Sequence, residues 1–425
     1  MGDLEGAKDA YVKALALAPK NPIIIGAAAS FFESLVDSSH LTKLMQRARE
    51  DRVDLGVGAL RQLEAVAFLR GGKPVLARTS ILKALQRPNK PDLTRRSKFI
   101  LGQAEDKSGN YPAAFEAYSE ANQLSLDIFE TNGPHDHAKI LNEIATMRTA
   151  LDLDGQFGPL EPAPSHNKTA KIAFILGFPR SGTTLLDTIL RSHSLVEVVE
   201  EKPIFSDALA ASFKIENSAI SLKKWLAIDP KVMKEAYLRK MSDFAGETLS
   251  DNKVYIDKMP LNTRWAPFLH QIFPEALFIF AIRHPQDVAI SNLFQDFAPN
   301  GAMMNMTNIR RIDNLYDQCF SLWDEFERKC KPNVERVRYE ELVDDLEGTA
   351  GRVMRRLGLE WEDDQARFFE TAMQRGRIST ASRNQVSQKL YTSSKERWRN
   401  YAFAFQGDDT ANLGNWAVKL GYSID

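Results

Sequence analysis

The stretch KIAFILGFPRSGTTLLDTIL, from Lys171 to Leu190, limits what this chain can fold into more than any other. An apolar run passes through Gly177, Pro179 and Gly182 directly into an amphipathic segment, the pattern of a buried strand turning into a helix. Gly177 and Gly182 permit a tight turn, the amides from Ser181 to Leu185 can converge on an anion, and the helix adds its positive end. Set against the pattern G-x-x-x-x-G-K-S/T, the last hydroxyl is Thr184, but Thr183 stands where the lysine belongs. Arg180 is then the only fixed cation of the loop, with Thr183 and Thr184 supplying hydroxyls. The expected ligand is a phosphate-like anion handled differently from the phosphates of ATP.

Downstream, apolar runs alternate with helical patterns. A long helical region from about Ala219 to Leu249 precedes VYIDK, a helix near Asn262 to Ile272, ALFIFAIR, a helix from Pro285, and VERVRYEEL. The alternation predicts an α/β domain with a doubly wound parallel sheet, in which ligands bind at the carboxyl ends of the strands. FIFAIRHPQDVAISNLFQDF ends a buried strand at Arg283, and Ser291 follows eight residues later on the opening turns of the next helix. An arginine at a strand end with a serine nearby predicts a second phosphate site on the same edge. Two such sites suit a ligand with phosphates at both ends of a nucleoside.

The first third of the chain is different. GDLEGAKDAYVKALALAPKNP places Ala7, Tyr11, Ala14 and Pro19 in a rhythm that returns at Leu41, Met45 and Ala48, at Ala77, Ile81 and Ala84, and at Ala114, Tyr118 and Ala121. From Ala7 through Leu41 and Ala77 to Ala114 the matching positions advance by 34, 36 and 37 residues. That period is close to the tetratricopeptide unit, in which small residues let paired helices approach and larger ones fill the neighbouring groove. Residues 1–152 are therefore expected to form a tetratricopeptide-like all-α solenoid able to hold a protein partner. The first copy lacks its first helix, so an upstream segment is expected. LDLDGQFGPLEPAPSHNKTA breaks both periodicities and sets a linker at 153–168, which leaves the α/β domain at 169–425.

Composition adds bounds rather than answers. With 55 basic and 56 acidic side chains among 425 residues, the net charge of -1 gives no global reason for nucleic acid or an acidic membrane as partner. Cys319 and Cys330 are eleven residues apart, roughly 16 Å along a helix, so they are expected to be reduced thiols. No run reaches a membrane span and MGDLEGAKDA is not a signal peptide, which points to the cytoplasm. His, Cys and acidic residues show no metal-ligand spacing, and His193 and His284 read as structural.

These motifs resemble a known family. FPRSGTT resembles the 5′-phosphosulfate loop of sulfotransferases and RHPQDVAIS their 3′-phosphate motif, with IDKMPLNTRWAPFLHQIFPEALFIFAIR, VRYEELVDDLEGTAGRVMRRLGLEW and STASRNQVSQKLYTSSKERWRNY in the expected order. Helical repeats ahead of such a domain look like bacterial tetratricopeptide sulfotransferases, whose catalytic half is similar to tyrosylprotein sulfotransferases. The resemblance implies a P-loop-like sulfotransferase domain that uses 3′-phosphoadenosine 5′-phosphosulfate (PAPS), releases 3′-phosphoadenosine 5′-phosphate (PAP) and needs no metal.

It also implies roles. Arg180 and Lys258 match residues that stabilise charge on the leaving phosphate, and Ser382 matches a serine that donates to the transferred group. Glu201 in VVEEKPIF matches the general base, with Glu200 as its competitor; on an extended segment only one of the two would enter the site. Ser181, Gly182, Thr183, Thr184, Arg283, Ser291, Tyr339 and Lys395, with Arg180, match the cofactor site. The paired cysteines of the tyrosylprotein enzymes have no counterpart, so their secretory setting does not carry over.

The acceptor is left open among a peptide tyrosine, a saccharide and a small molecule. FQDFAPNGAMMNMTNIRR after Ser291 is a candidate cover for its pocket. Two other readings stand beside the enzyme: a P-loop kinase or nucleoside triphosphatase, with VYIDK nearest to a magnesium-holding strand, and a repeat scaffold whose nucleotide domain is inactive.

Overall fold

The computed structural model describes residues 4–35, 37–56, 58–86, 90–131, 136–153, 170–213, 227–298, 300–374 and 394–424. Its contacts divide the chain into two compact units, 1–135 with 293–308, and 136–292 with 309–425.

The first unit is helical: α1 (Leu4–Leu17), α2 (Pro22–Ser34), α3 (Ser38–Glu50), α4 (Ala59–Arg70), α5 (Pro74–Leu85), α6 (Pro91–Lys107) and α7 (Tyr111–Thr131). Each packs on the next in sequence. Asn21 and Asp37 cap α2 and α3 by accepting backbone N–H groups, and Pro22, Pro74 and Pro91 open their helices where no amide is needed. The periodic positions of the second to fourth copies are buried, namely Leu41, Met45, Ala48, Ala77, Ile81, Ala84, Ala114, Tyr118 and Ala121, whereas Ala7, Tyr11 and Ala14 of the first copy are only half-buried. A Cβ on Gly102 would lie 2.9 Å from the Tyr118 ring, so the glycine is what lets α6 and α7 close on that aromatic. Residues 293–308 join this unit through Phe294, stacked on Tyr118 at 4.0 Å, and through the Leu293 carbonyl, which accepts from Asn122 at 2.7 Å.

The second unit holds α8 (Lys139–Leu151), β1 (Lys171–Gly177), α9 (Thr183–Leu190), β2 (Val196–Glu200), α10 (Ile204–Phe213), α11 (Pro230–Ala245), β3 (Val254–Lys258), α12 (Ala266–Ile272) and β4 (Leu277–Ile282). It continues with α13 (Pro285–Leu293), α14 (Ile309–Cys330), β5 (Val334–Arg338), α15 (Tyr339–Asp344) and α16 (Leu346–Leu357), then α17 (Asp363–Ala366), α18 (Phe368–Gln374) and α19 (Ala411–Lys419). Although α8 precedes the expected linker, it groups here: Glu143 accepts from Arg264 at 2.8 Å and Arg148 lies 3.5 Å from Glu325. Most of that linker, residues 154–168, lies outside the described residues.

The five strands are parallel in the order β2-β3-β1-β4-β5. Four of them are the apolar runs expected from the sequence; β2 is additional, a largely buried strand whose apolar pattern is interrupted by Glu197 and Glu200. Successive side chains alternate between two differently furnished faces. Ala173, Ile175, Val196, Val198, Ile256 and Ile279 pack in an aliphatic layer with α9 and α16, while Phe174, Phe278 and Phe280 meet Tyr237, Phe273 and Trp323 in an aromatic one. Because β1 lies between β3 and β4, the chain winds to opposite sides of it, which opens a crevice at its carboxyl end. Among the described residues no helix is long and apolar enough to cross a membrane. Cys319 and Cys330 lie on α14 as free thiols, and burial pushes Cys319 up to about 12.

Candidate active site

The turn after β1 depends on glycine at two positions. Gly177 has φ +143°, and a Cβ there would lie 2.5 Å from the Ala281 carbonyl oxygen; Gly182 has φ +90°, and its Cβ would lie 2.7 Å from the Tyr339 ring. Arg180 and Glu201 adopt left-handed backbone at φ +71° and +50°, a conformation non-glycine residues take only where surroundings impose it. Gly182 is the N-cap of α9 and brings no side chain to satisfy the first amides. Ser181 Oγ is buried there with no hydrogen-bond partner among the described residues. A loop with an orphaned hydroxyl at an uncapped helix start fits an anion.

The two anion motifs are joined at this edge. Arg180 Nε donates to Ser291 Oγ at 3.0 Å, Arg283 Nη1 to the Arg180 carbonyl at 3.2 Å, and Asn292 Nδ2 to the Pro179 carbonyl at 2.9 Å. Arg283 lies 4.6 Å over the Tyr339 ring, so the tyrosine braces both the loop glycine and the second arginine. Arg283 Nε is buried and without a partner among the described residues, a further sign of a site for an anion. Ser291 lies in the last turn of α13 rather than its opening turns, because the helix stops at Leu293.

A buried ion cluster adjoins the loop. In register, Glu200 of β2 and Ile175 of β1 flank Lys258 of β3. Lys258 Nζ, fully buried, donates to Glu201 at 2.7 Å and Glu200 at 3.2 Å, and lies 3.8 Å from Asp187 of α9. Burial works to lower the Lys258 pKa, but Asp187, Glu201 and Glu200 outweigh it and hold the ammonium above the ordinary lysine value. Asp187 also pairs with Arg191; its burial pushes the carboxyl upward against the pull of that arginine. Both glutamates reach the same lysine, against the expectation of opposite directions, because the strand ends at Glu200 and Glu201 turns into left-handed backbone. Exposure separates them: the Glu201 side chain is 39% accessible and the Glu200 side chain 6%.

Thr183 and Thr184 are buried at the start of α9. Lys395 pairs with Asp344 at 2.6 Å, while the carbonyl of its neighbour Ser394 accepts from Arg283 at 2.6 Å. Ser382 lies outside the described residues. Asp257, the acid of VYIDK, is fully buried beneath Tyr237, which donates to it at 2.5 Å, and Asn262 at 3.3 Å, so it does not face the loop as a magnesium ligand would. His193 Nδ1 accepts from the Leu195 amide at 3.0 Å, a capping role, and His284 packs on Trp398.

Three contributors escaped the sequence reading: Asp187, Asn292 and Thr263, whose hydroxyl accepts from the Gly177 amide at 3.0 Å. For Asp187 a signal existed, the one charged residue of α9, four residues before Arg191.

Residues 173–363 match the model of the Sulfotransferase family. An uncharacterized protein of Aquifex aeolicus (strain VF5) is 28% identical over 329 residues, covering 75% of this chain and 41% of that protein. Protein-tyrosine sulfotransferase 1 of Danio rerio is 26% identical over 292 residues, 65% of this chain and 78% of that enzyme. Among solved structures, the sulfotransferase domain from the curacin biosynthetic pathway superposes with TM-score 0.43 at 15% identity, covering 61% of this chain and 100% of that one. The chain thus spans less than half the length of its Aquifex relative. The matched residues take in most of the sheet, the glycine loop, Glu201, Lys258 and Arg283.

Proposed function

We propose that the chain transfers the sulfuryl group of PAPS to a hydroxyl or amine acceptor, with Glu201 as general base. The observation that carries this reading is the exposed Glu201 carboxylate held on a buried Lys258, beside a glycine loop joined to Arg283. Ser181, Gly182, Thr183 and Thr184 would hold the 5′ phosphate end, and Arg283, Ser291, Tyr339 and Lys395 the 3′ phosphate end. Bound there, PAPS supplies an activated sulfuryl group on a phosphate leaving group.

The remaining chemistry belongs to the protein. Glu201 takes the acceptor proton as its oxygen or nitrogen attacks. Lys258 and Arg180, with Ser382, place positive charge and donors where negative charge develops. Lys258 is suited to this because its partners are fixed and water does not reach it, so no reorganisation is needed at the moment of transfer.

Residues 1–152 are proposed to be tetratricopeptide-like repeats that present the acceptor or hold a protein partner, followed by the linker and the catalytic region 169–425. A cytoplasmic location accords with the two free thiols. Incubation with PAPS and a panel of phenols, tyrosyl peptides and saccharides tests the activity. The expected result is acceptor-dependent PAP release without added magnesium; turnover that demands ATP and magnesium would replace this reading with a kinase.

A further inference from the structure

Asp287 is unaccounted for by the roles above, yet it is almost fully buried on the first turn of α13, four residues after Arg283. Its two carboxylate oxygens are both committed to the backbone of a distant segment. Oδ2 accepts from the Glu396 amide at 2.9 Å and Oδ1 from the Trp398 amide at 2.8 Å. Between them the chain makes a bend that backbone preference alone would not choose, with Glu396 at φ +54°. On the near side of that bend the Ser394 carbonyl accepts from Arg283 Nη2 at 2.6 Å. On the far side Trp398 stacks on His284 at 4.9 Å with the rings 15° apart.

We infer that Asp287 is a positioning residue for the cofactor site: it straps residues 394–398 onto the Arg283–His284 turn and so fixes the orientation of the Arg283 guanidinium. This rests on the proposed use of PAPS. Arg283 has five N–H donors. One meets the Arg180 carbonyl and one the Ser394 carbonyl, while Nε stays buried without a partner among the described residues. The plane of the guanidinium is set by those two carbonyls, and one of them is where it is because Asp287 holds the next turn of chain. Asp287 itself lies 3.9 Å from Arg283 Nη2, beyond hydrogen-bond reach, so its grip on the strap is the stronger connection. A carboxylate suits this task because it accepts two amides at once, whereas an amide side chain in the same place has one acceptor oxygen.

The test uses the full chain. Asp287→Ala should raise the Kd for PAP and the KM for PAPS about tenfold or more while kcat at saturating PAPS changes less than about threefold. Asp287→Asn, which keeps one acceptor, should fall between. Amide exchange measured on the peptide spanning 394–401 should quicken in both variants before any ligand is added. Trp398→Leu loosens the same strap from its other side and should shift KM in the same direction should Asp287→Ala not fold. If neither variant folds, PAP added to the wild type must slow exchange at Glu396 and Trp398, and no slowing overturns the inference. Wild-type protein that does not bind PAP removes the functional reading and this inference with it. Wild type that binds PAP alongside a folded Asp287→Ala variant of equal affinity removes this inference alone.

Discussion

Lys258 and Glu201 meet at 2.7 Å across a sharp change of environment, the lysine wholly buried and the glutamate open to solvent. Glu200, also on the lysine, is enclosed. A base must touch the acceptor, and of this pair only Glu201 is placed to do so. Glu201→Gln is expected to lower transfer by roughly 100-fold to 10,000-fold, with PAP affinity nearly unchanged. Initial rates at saturating PAPS, paired with calorimetry, check this. A Glu200→Gln variant that lost turnover while Glu201→Gln retained it would exchange their roles.

The glycine loop makes a steric prediction. Gly182→Ala forces a methyl group 2.7 Å from the Tyr339 ring at φ +90°, so it meets both a clash and backbone strain. The expected cost is about 1–3 kcal/mol of stability, with PAP binding lost. Relieving the clash through Tyr339→Ala should not restore binding, since the strain remains and Arg283 loses its brace. Urea denaturation of the single and double variants reads the first effect and calorimetry the second; full rescue would mean the clash alone mattered.

The buried Asp257 gives the fold a pH dependence. Burial lifts its carboxyl to about 7 against the opposing hydrogen bonds of Tyr237 and Asn262 and the charge of Lys258. Folded protein therefore keeps the proton up to near neutrality, while the unfolded chain releases it near pH 4. The unfolded state binds fewer protons between those values, so this stabilisation is complete below about pH 4 and lost as pH rises to about 7. Asp257→Asn does not titrate. Wild type should lose stability relative to that variant across this window, by up to about 4 kcal/mol, and run parallel to it above pH 8. A constant difference from pH 5 to pH 8 would contradict a folded-state titration of Asp257 near pH 7.

Much of the α/β unit was legible because its signals are local. A strand, two glycines and a helix start occur within twenty residues, and Arg283 closes a strand whose apolar run is unbroken. The helical core positions were legible through their period, since Ala77, Ile81 and Ala84 mark the same buried stripe as Ala114, Tyr118 and Ala121. What escaped depends on contacts distant in sequence. Lys258 gathers Asp187 and Glu200 from 71 and 58 residues away, and no spacing announces that register. The β2 strand hid because Glu197 and Glu200 interrupt its apolar pattern, and its final acid is there to serve the neighbouring lysine. The place of α8 was hidden for a similar reason, because its helical pattern does not say which neighbour it will bury against.

One edge of the sheet is proposed to hold a nucleoside with phosphates at both ends. The decisive test is calorimetric titration of PAP into wild type and Arg283→Ala. Arg283 joins the loop through the Arg180 carbonyl and is braced by Tyr339, so it should carry the 3′ phosphate. Wild type should bind PAP, and the variant should lose about tenfold to 100-fold in affinity. Equal affinity in the two proteins, or no binding by wild type, would contradict the account.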